Sequence, residues 1–109
     1  MKTSLSHLPQ RKQKELHYIT HIIKEKVHPE KIILFGSHAT GRWVEDMYME
    51  GGITYEYISD YDILVITTPG DRRKDHEVES LVENQFDPKT PVNIIVHDIE
   101  FVNRQLAYN

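Results

Sequence analysis

Apolar residues along the chain recur with two different periods, and the points where the period changes divide it into elements. From Gln10 to about Val27 they fall at Leu16, Ile19, Ile22, Ile23 and Val27, spacings of three and four that trace one stripe of an amphipathic helix. Pro9 suits the first turn of that helix, and His28-Pro29 ends it, because a residue before proline disfavours helical backbone. Lys31 to Phe35 is short, apolar and β-branched, the pattern of a buried strand, and Gly36 to Arg42 reads as a turn that opens a short helix. Between Trp43 and Ser59 a β-hairpin is expected at about 47–57, with Gly51-Gly52 as its turn and one face packed. Asp62 to Thr67 predicts a second buried strand, broken by Pro69-Gly70. Lys74 to Phe86 carries Val78, Leu81, Val82 and Phe86 at helical spacing. Pro88 to Pro91 is a loop, Val92 to Val96 a third buried strand, and Asp98 a suitable N-cap for a last helix through Phe101, Val102 and Leu106.

Helix, strand, short helix, hairpin, strand, helix, strand, helix is the order of an α/β (α+β) layer, with helices packed on a central sheet. The 109 residues make one domain by length, 1–109, enough for a single core without staples. The apolar stripe of the last helix, near the end of the chain, is expected to continue into or pack against a further element. The chain has no cysteine, hence no disulfide framework and no thiolate metal site, and it shows no leader and no run of 18 apolar residues. A cytoplasmic protein without a membrane span is the expectation. A formal charge of −4 argues against a broad electrostatic nucleic-acid surface. It leaves two local basic clusters, Arg11, Lys12, Lys14, Lys24 and Lys26 near the start and Arg72-Arg73-Lys74 later, both expected to be solvated faces.

Two motifs carry chemistry. Ser59-Asp60-Tyr61-Asp62 sets two carboxylates one residue apart at the head of a strand, where alternation directs both to one face and Tyr61 to the other. Two like charges held together need a compensating cation, and magnesium accepts a few protein oxygens while keeping phosphate oxygens and waters for the rest. Gly36-Ser37 offers backbone that a ligand can approach without a Cβ in the way, a hydroxyl, and the amides of a following helix for phosphate. The turn is neither a P-loop nor a dinucleotide fingerprint. Either motif alone is equally an ordinary strand-to-helix connection or a pair of turn and cap residues. Together they are more specific.

The stretch Ile32 to Val65 resembles the minimal nucleotidyltransferases of the DNA polymerase β superfamily. Their pattern of two apolar residues, F-G-S-x-A-x-G and then S-D-h-D-h-h-V reads here as Ile33-Leu34-Phe35-Gly36-Ser37-His38-Ala39-Thr40-Gly41 and Ser59-Asp60-Tyr61-Asp62-Ile63-Leu64-Val65. With the flanking helices and third strand, the resemblance covers most of residues 10–98. It implies the nucleotidyltransferase fold, a central mixed sheet with helices on it and an inserted hairpin. It implies transfer of a nucleoside monophosphate from ATP or another nucleoside triphosphate to a hydroxyl, with two Mg2+ ions. By position, Gly36 and Ser37 hold phosphates, and Asp60 and Asp62 are the catalytic, metal-ligating pair. A helical HEPN (nucleotide-binding) protein or domain is the partner the resemblance implies, in an antitoxin-like role, and a second copy of the chain is another candidate.

Three departures from the pattern bear on activity. The third carboxylate is expected on the next strand, and Asn93 stands there; its carbonyl can ligate metal but cannot take a proton from an acceptor. His97, on the same strand face, is a substitute base or a satisfied strand-end histidine. Thr40 stands where arginine is common, and Arg42 either replaces it in nucleotide binding or is a surface charge. The interval from Ser37 to Asp60 is long, and the hairpin fills it. The alternative reading is therefore a catalytically degenerate nucleotide- or partner-binding module, and a third is a structural half of an oligomer. His38 lies in the turn and could reach a phosphate or base. His17 and His21, four apart on a helix, have no third metal ligand at a telling distance.

Overall fold

The computed structural model describes residues 5–43, 45–50, 53–71, 73–86 and 90–108, and along 45–57 only the path of the backbone. Its elements are α1 (Gln10–Val27), β1 (Lys31–Phe35), α2 (Ser37–Thr40), β2 (Glu45–Glu50), β3 (Ile53–Ile58), β4 (Tyr61–Thr67), α3 (Asp75–Gln85), β5 (Val92–Asp98) and α4 (Ile99–Tyr108). The order and type of every element agree with the hydrophobic periods, and the fold class is mixed α+β. Gly51-Gly52, Arg72 and part of the Pro88–Pro91 loop lie outside the described residues.

Three strands form one mixed sheet in the order β1-β4-β5, with β1 antiparallel and β5 parallel to β4. The register lines residues up in rows across all three strands. On one face Ile32, Val65 and Val96 form a row, and Leu34, Ile63 and Ile94 another. This face meets the apolar stripe of α1 (Leu16, Ile19, Ile22, Ile23, Val27) and Val78 and Val82 of α3, and the residues pack into one cluster. On the opposite face the rows are Ile33–Leu64–Ile95 and Phe35–Asp62–Asn93. The second of these rows brings Asp62 and Asn93 together at the end of the sheet where β1 runs into Gly36.

The helix ends follow from local chemistry. Pro9 sits one position earlier than expected, as the cap residue, and its carbonyl accepts the Gln13 amide at 3.1 Å. A proline has no N–H to lose at either place. At the other end His28 adopts left-handed backbone (φ 53°), where extended backbone is the usual pre-proline choice. One left-handed residue closes a helix C-terminus in a single step. Arg73 donates from Nη1 to the Lys26 carbonyl at 3.1 Å, satisfying a last-turn acceptor, so this member of the second basic cluster caps α1. Asp98 caps α4 as expected: its Oδ1 accepts the Phe101 amide at 2.7 Å.

The hairpin β2–β3 pairs antiparallel with itself, Glu50 opposite Ile53, and is a separate two-stranded sheet. Its side chains, and with them the expected packed face, lie outside the described residues. Lys12, expected on a solvated face, is fully buried, and Glu15 nearly so. Among the described residues no helix is long and apolar enough to cross a membrane.

The outer edge of β5 is sealed by α3. Glu79 Oε1 accepts the Ile94 amide at 2.9 Å, and Asp75 Oδ1 accepts the Val96 amide at 2.7 Å. Four residues of helix rise about 6 Å and two residues of strand about 6.7 Å, so carboxylates at i and i+4 match amides at j and j+2. An open edge would expose those donors to other chains. Asp75→Ala is expected to destabilise the fold by about 1–3 kcal/mol, as a part-buried amide loses its acceptor. Asp75→Asn, which keeps an acceptor oxygen, is expected to cost less. Urea denaturation of the two variants measures the difference.

Candidate functional site

Asp62 lies on β4 between two neighbours that bracket its carboxylate. On the β5 side Asn93, its register partner, donates from Nδ2 to Asp62 Oδ1 at 3.1 Å. A carboxylate only accepts, so the amide nitrogen is the end of Asn93 that faces it. On the β1 side the Asp62 side chain comes so near Gly36 that a Cβ there would collide with Oδ2 and stand 3.1 Å from Cγ. Gly36 also has φ 75° and ψ −154°, a region open essentially to glycine alone. Backbone conformation and space thus demand glycine at this position independently.

After Gly36 the chain enters α2. The Gly36 carbonyl accepts the amides of Ala39 (3.1 Å) and Thr40 (3.2 Å), and the Ser37 carbonyl accepts the Arg42 amide at 2.8 Å. Thr40 folds its hydroxyl back onto the carbonyls of Gly36 and Ser37, both at 3.3 Å. Gly41, in left-handed backbone, closes the turn. Ser37 is half-buried and Arg42 exposed. Asp60 is exposed and lies one residue before β4, so strand alternation governs Asp62 but does not by itself fix the Asp60 side chain. Among the described residues no three His, Cys, Asp or Glu side chains gather as a metal cage. Two carboxylates and an amide nevertheless suit a magnesium ion that draws its other ligands from phosphate and water.

His38 is not a surface group of the turn. It is buried, 1% exposed, and its ring turns inward. Nδ1 donates to the Asp60 carbonyl at 2.8 Å, and Nε2 accepts from Lys12 Nζ at 3.3 Å. Its ring lies parallel to that of Trp43, centroids 5.7 Å apart, and 4.6 Å from Tyr61. Lys12 also donates to Thr90 Oγ1 at 3.1 Å and lies 4.6 Å above the Trp43 ring. Tyr61 points opposite to Asp62, as alternation requires, and its fully buried hydroxyl donates to Glu15 Oε1 at 2.7 Å. Burial first, and the adjacent Glu15, push the Tyr61 hydroxyl above its ordinary range, so it remains a donor. Arg11 pairs with the same Glu15 oxygen at 3.0 Å.

Of the residues singled out in the sequence, Gly36, Asp62 and Asn93 come together, Ser37 follows Gly36 directly, Asp60 lies two residues before Asp62, and Arg42 is on the turn with an exposed side chain. His97 stacks on Phe101 of α4, ring centroids 4.2 Å apart, four residues along β5 from Asn93. Lys12, Glu15 and Thr90 escaped sequence reasoning. For the first two a signal existed: positions 12, 15, 16, 19, 22 and 23 continue the buried stripe of α1 by one turn. Thr90 offers no such signal in a loop.

No family model matches the chain, and no curated protein matches it. A solved structure from Sulfolobus solfataricus, described as a "putative nucleotidyltransferase", is similar over 89% of this chain and 81% of that chain, at 19% identity and a TM-score of 0.46.

The two glycines of the turn make a direct comparison. A Cβ at Gly41 meets nothing within 4 Å, so Gly41→Ala is expected to cost only the left-handed strain, about 1–2 kcal/mol. Gly36→Ala adds a collision with Asp62 to a backbone strain of about 1–3 kcal/mol. Thermal unfolding should therefore rank Gly36→Ala clearly below Gly41→Ala, and removing the collision with Asp62→Gly should recover part of the loss.

Proposed function

We propose that this chain is a nucleotidyltransferase domain that binds a nucleoside triphosphate as its magnesium complex and passes the nucleoside monophosphate to a hydroxyl. The observation that carries the reading is the approach of the Asp62 carboxylate to Gly36. It joins a candidate metal ligand to a candidate phosphate turn with no side chain between them. In this reading Gly36 and Ser37 hold phosphate oxygens, Asp60 and Asp62 hold the metal, and Arg42 reaches the triphosphate from the end of the turn. Asn93 contributes an amide beside Asp62. When bound, magnesium supplies charge neutralisation on the phosphates and stabilises the leaving pyrophosphate. An acceptor hydroxyl on a protein partner, a helical HEPN-type partner in an antitoxin-like arrangement, ATP as the donor, a second magnesium ion and self-association belong to the same proposal. Leu106, 71% exposed on α4, is an apolar contact that such a helical partner could cover.

One observation favours a second reading, nucleotide binding without turnover. Asn93 Nδ2 donates to Asp62 Oδ1, so Asn93 compensates part of the charge a metal would otherwise balance. Asn93 also cannot deprotonate an acceptor. The two readings separate in a single series. Calorimetry with Mg2+ and each of ATP, GTP, CTP and UTP should show a bound triphosphate in the wild-type protein. Asp62→Asn should weaken that binding roughly 10–100-fold, the size of a lost charge-assisted contact. Transfer of label from α-phosphate-labelled triphosphate to an added acceptor, lost in Asp62→Asn, supports the transferase. Binding with no transfer by the wild-type protein, and transfer gained in Asn93→Asp, supports the second reading. No binding of any triphosphate overturns both.

A further inference from the structure

The three segments that carry the candidate site are tied together behind it by one buried polar group of side chains. The turn contributes His38, the β4 entry contributes the Asp60 carbonyl and Tyr61, and the β5 entry contributes Thr90, three residues before Asn93. All of them meet α1. His38 Nδ1 donates to the Asp60 carbonyl (2.8 Å), Lys12 donates to His38 Nε2 (3.3 Å) and Thr90 Oγ1 (3.1 Å), and Tyr61 donates to Glu15 (2.7 Å). His7 donates from Nε2 to the His38 carbonyl at 2.7 Å, fixing the backbone of the same residue. Lys12, Tyr61 and Thr90 are each 0% exposed and His38 is 1% exposed.

A buried hydrogen-bonded group is costly when half satisfied and rigid when satisfied, because each polar atom removed from water must keep its partner. Apolar packing alone would tolerate small slides of the turn against β4. A ring nitrogen bonded to one carbonyl does not. Since His38 follows Ser37 directly and its acceptor belongs to Asp60, this bond ties the phosphate turn to the carboxylate segment in addition to the β1–β4 register. The bond has a direction: the Asp60 carbonyl only accepts, so the proton is on Nδ1, and Nε2 is the lone-pair side that receives Lys12.

We propose that His38 and Lys12 are positioning residues: the Nδ1–H of His38 holds the Gly36–Ser37 turn in register with Asp60 and Asp62, and Lys12 fixes that ring and joins it to the β5 entry through Thr90. The proposal rests on the nucleotide–metal reading of the site given above. It concerns residues that touch neither metal nor nucleotide.

The test exploits the direction of the bond. The amide nitrogen of asparagine falls near the Nδ1 position of histidine, and that of glutamine near Nε2. His38→Asn therefore keeps the donor to Asp60, and His38→Gln removes it. Dissociation constants for the Mg2+ complex of the tightest-binding of ATP, GTP, CTP and UTP are measured by calorimetry, alongside a thermal melt of each variant. His38→Gln should weaken binding about tenfold, and His38→Asn should recover to within about threefold of wild type, although both variants lose the same ring contacts to Trp43 and Tyr61. Thr90→Val, close in volume, should weaken binding about threefold and keeps the test open if the histidine variants do not fold. Equal affinities for folded His38→Gln and His38→Asn, or wild-type affinity in Thr90→Val if the histidine variants do not fold, would overturn this inference while leaving the nucleotide reading intact. No triphosphate binding by the wild-type protein overturns the reading it rests on, and this inference with it.

Discussion

The carboxylate of Asp62 occupies the space that any side chain at position 36 would need. Everything else about the candidate site depends on that constraint. It requires glycine at the end of β1, and the glycine in turn permits the positive-φ step that leads into α2. It requires β1 and β4 to be antiparallel neighbours in a register that sets Phe35 opposite Asp62, which the pairing supplies. It also leaves the other carboxylate oxygen facing β5, where Asn93 meets it. A one-residue slip of β4 would turn Asp62 into the core and Tyr61 out of it. The burial of Tyr61 and the partial exposure of Asp62 on the other face are thus the same fact seen from two sides.

The core that holds this register is of two kinds. Toward the middle of the sheet, α1 and α3 cover aliphatic rows, and burial is the ordinary apolar kind. Toward the site end, the same helix α1 presents Lys12 and Glu15, and the packing becomes polar and directional. Apolar packing gives stability with little directional preference. Hydrogen bonds to a ring nitrogen, a phenol and a threonine hydroxyl allow fewer arrangements. The change of character falls where the turn and two strand ends converge, which is the place where a ligand would be least tolerant of slippage.

Much of this was legible in the sequence. Period and turn chemistry gave α1, β1, β4 and β5 nearly residue for residue, because a buried strand and an amphipathic stripe each leave a simple signature. Asp98 was legible as a cap because capping is local. The polar cluster was not, because its members lie far apart in the chain: Lys12 bonds to Thr90, and Glu15 to Tyr61. A charged residue in a helix reads as solvated until the partner that satisfies it is known. His38 was placed in the turn, within possible reach of a phosphate or base, but its inward-facing ring depends on partners in α1 and at Asp60 that are distant in the chain. The sealing of β5 by Asp75 and Glu79 was equally hidden, since it matches a helical spacing to a strand spacing across separate segments. The hairpin was legible in its pairing, yet pairing does not determine what a hairpin packs on.

Asp60, Asp62 and the Gly36–Ser37 turn are proposed to receive a metal–triphosphate together. A crystal structure of the protein grown with Mn2+ and a non-hydrolysable triphosphate tests it most directly, because manganese is located by its anomalous scattering. A manganese peak is expected against the Asp60 and Asp62 carboxylates, with phosphate oxygens over Gly36 and Ser37. A triphosphate bound elsewhere on the molecule, or Asp62 still bonded to Asn93 with no metal beside it at saturating ligand, would contradict it.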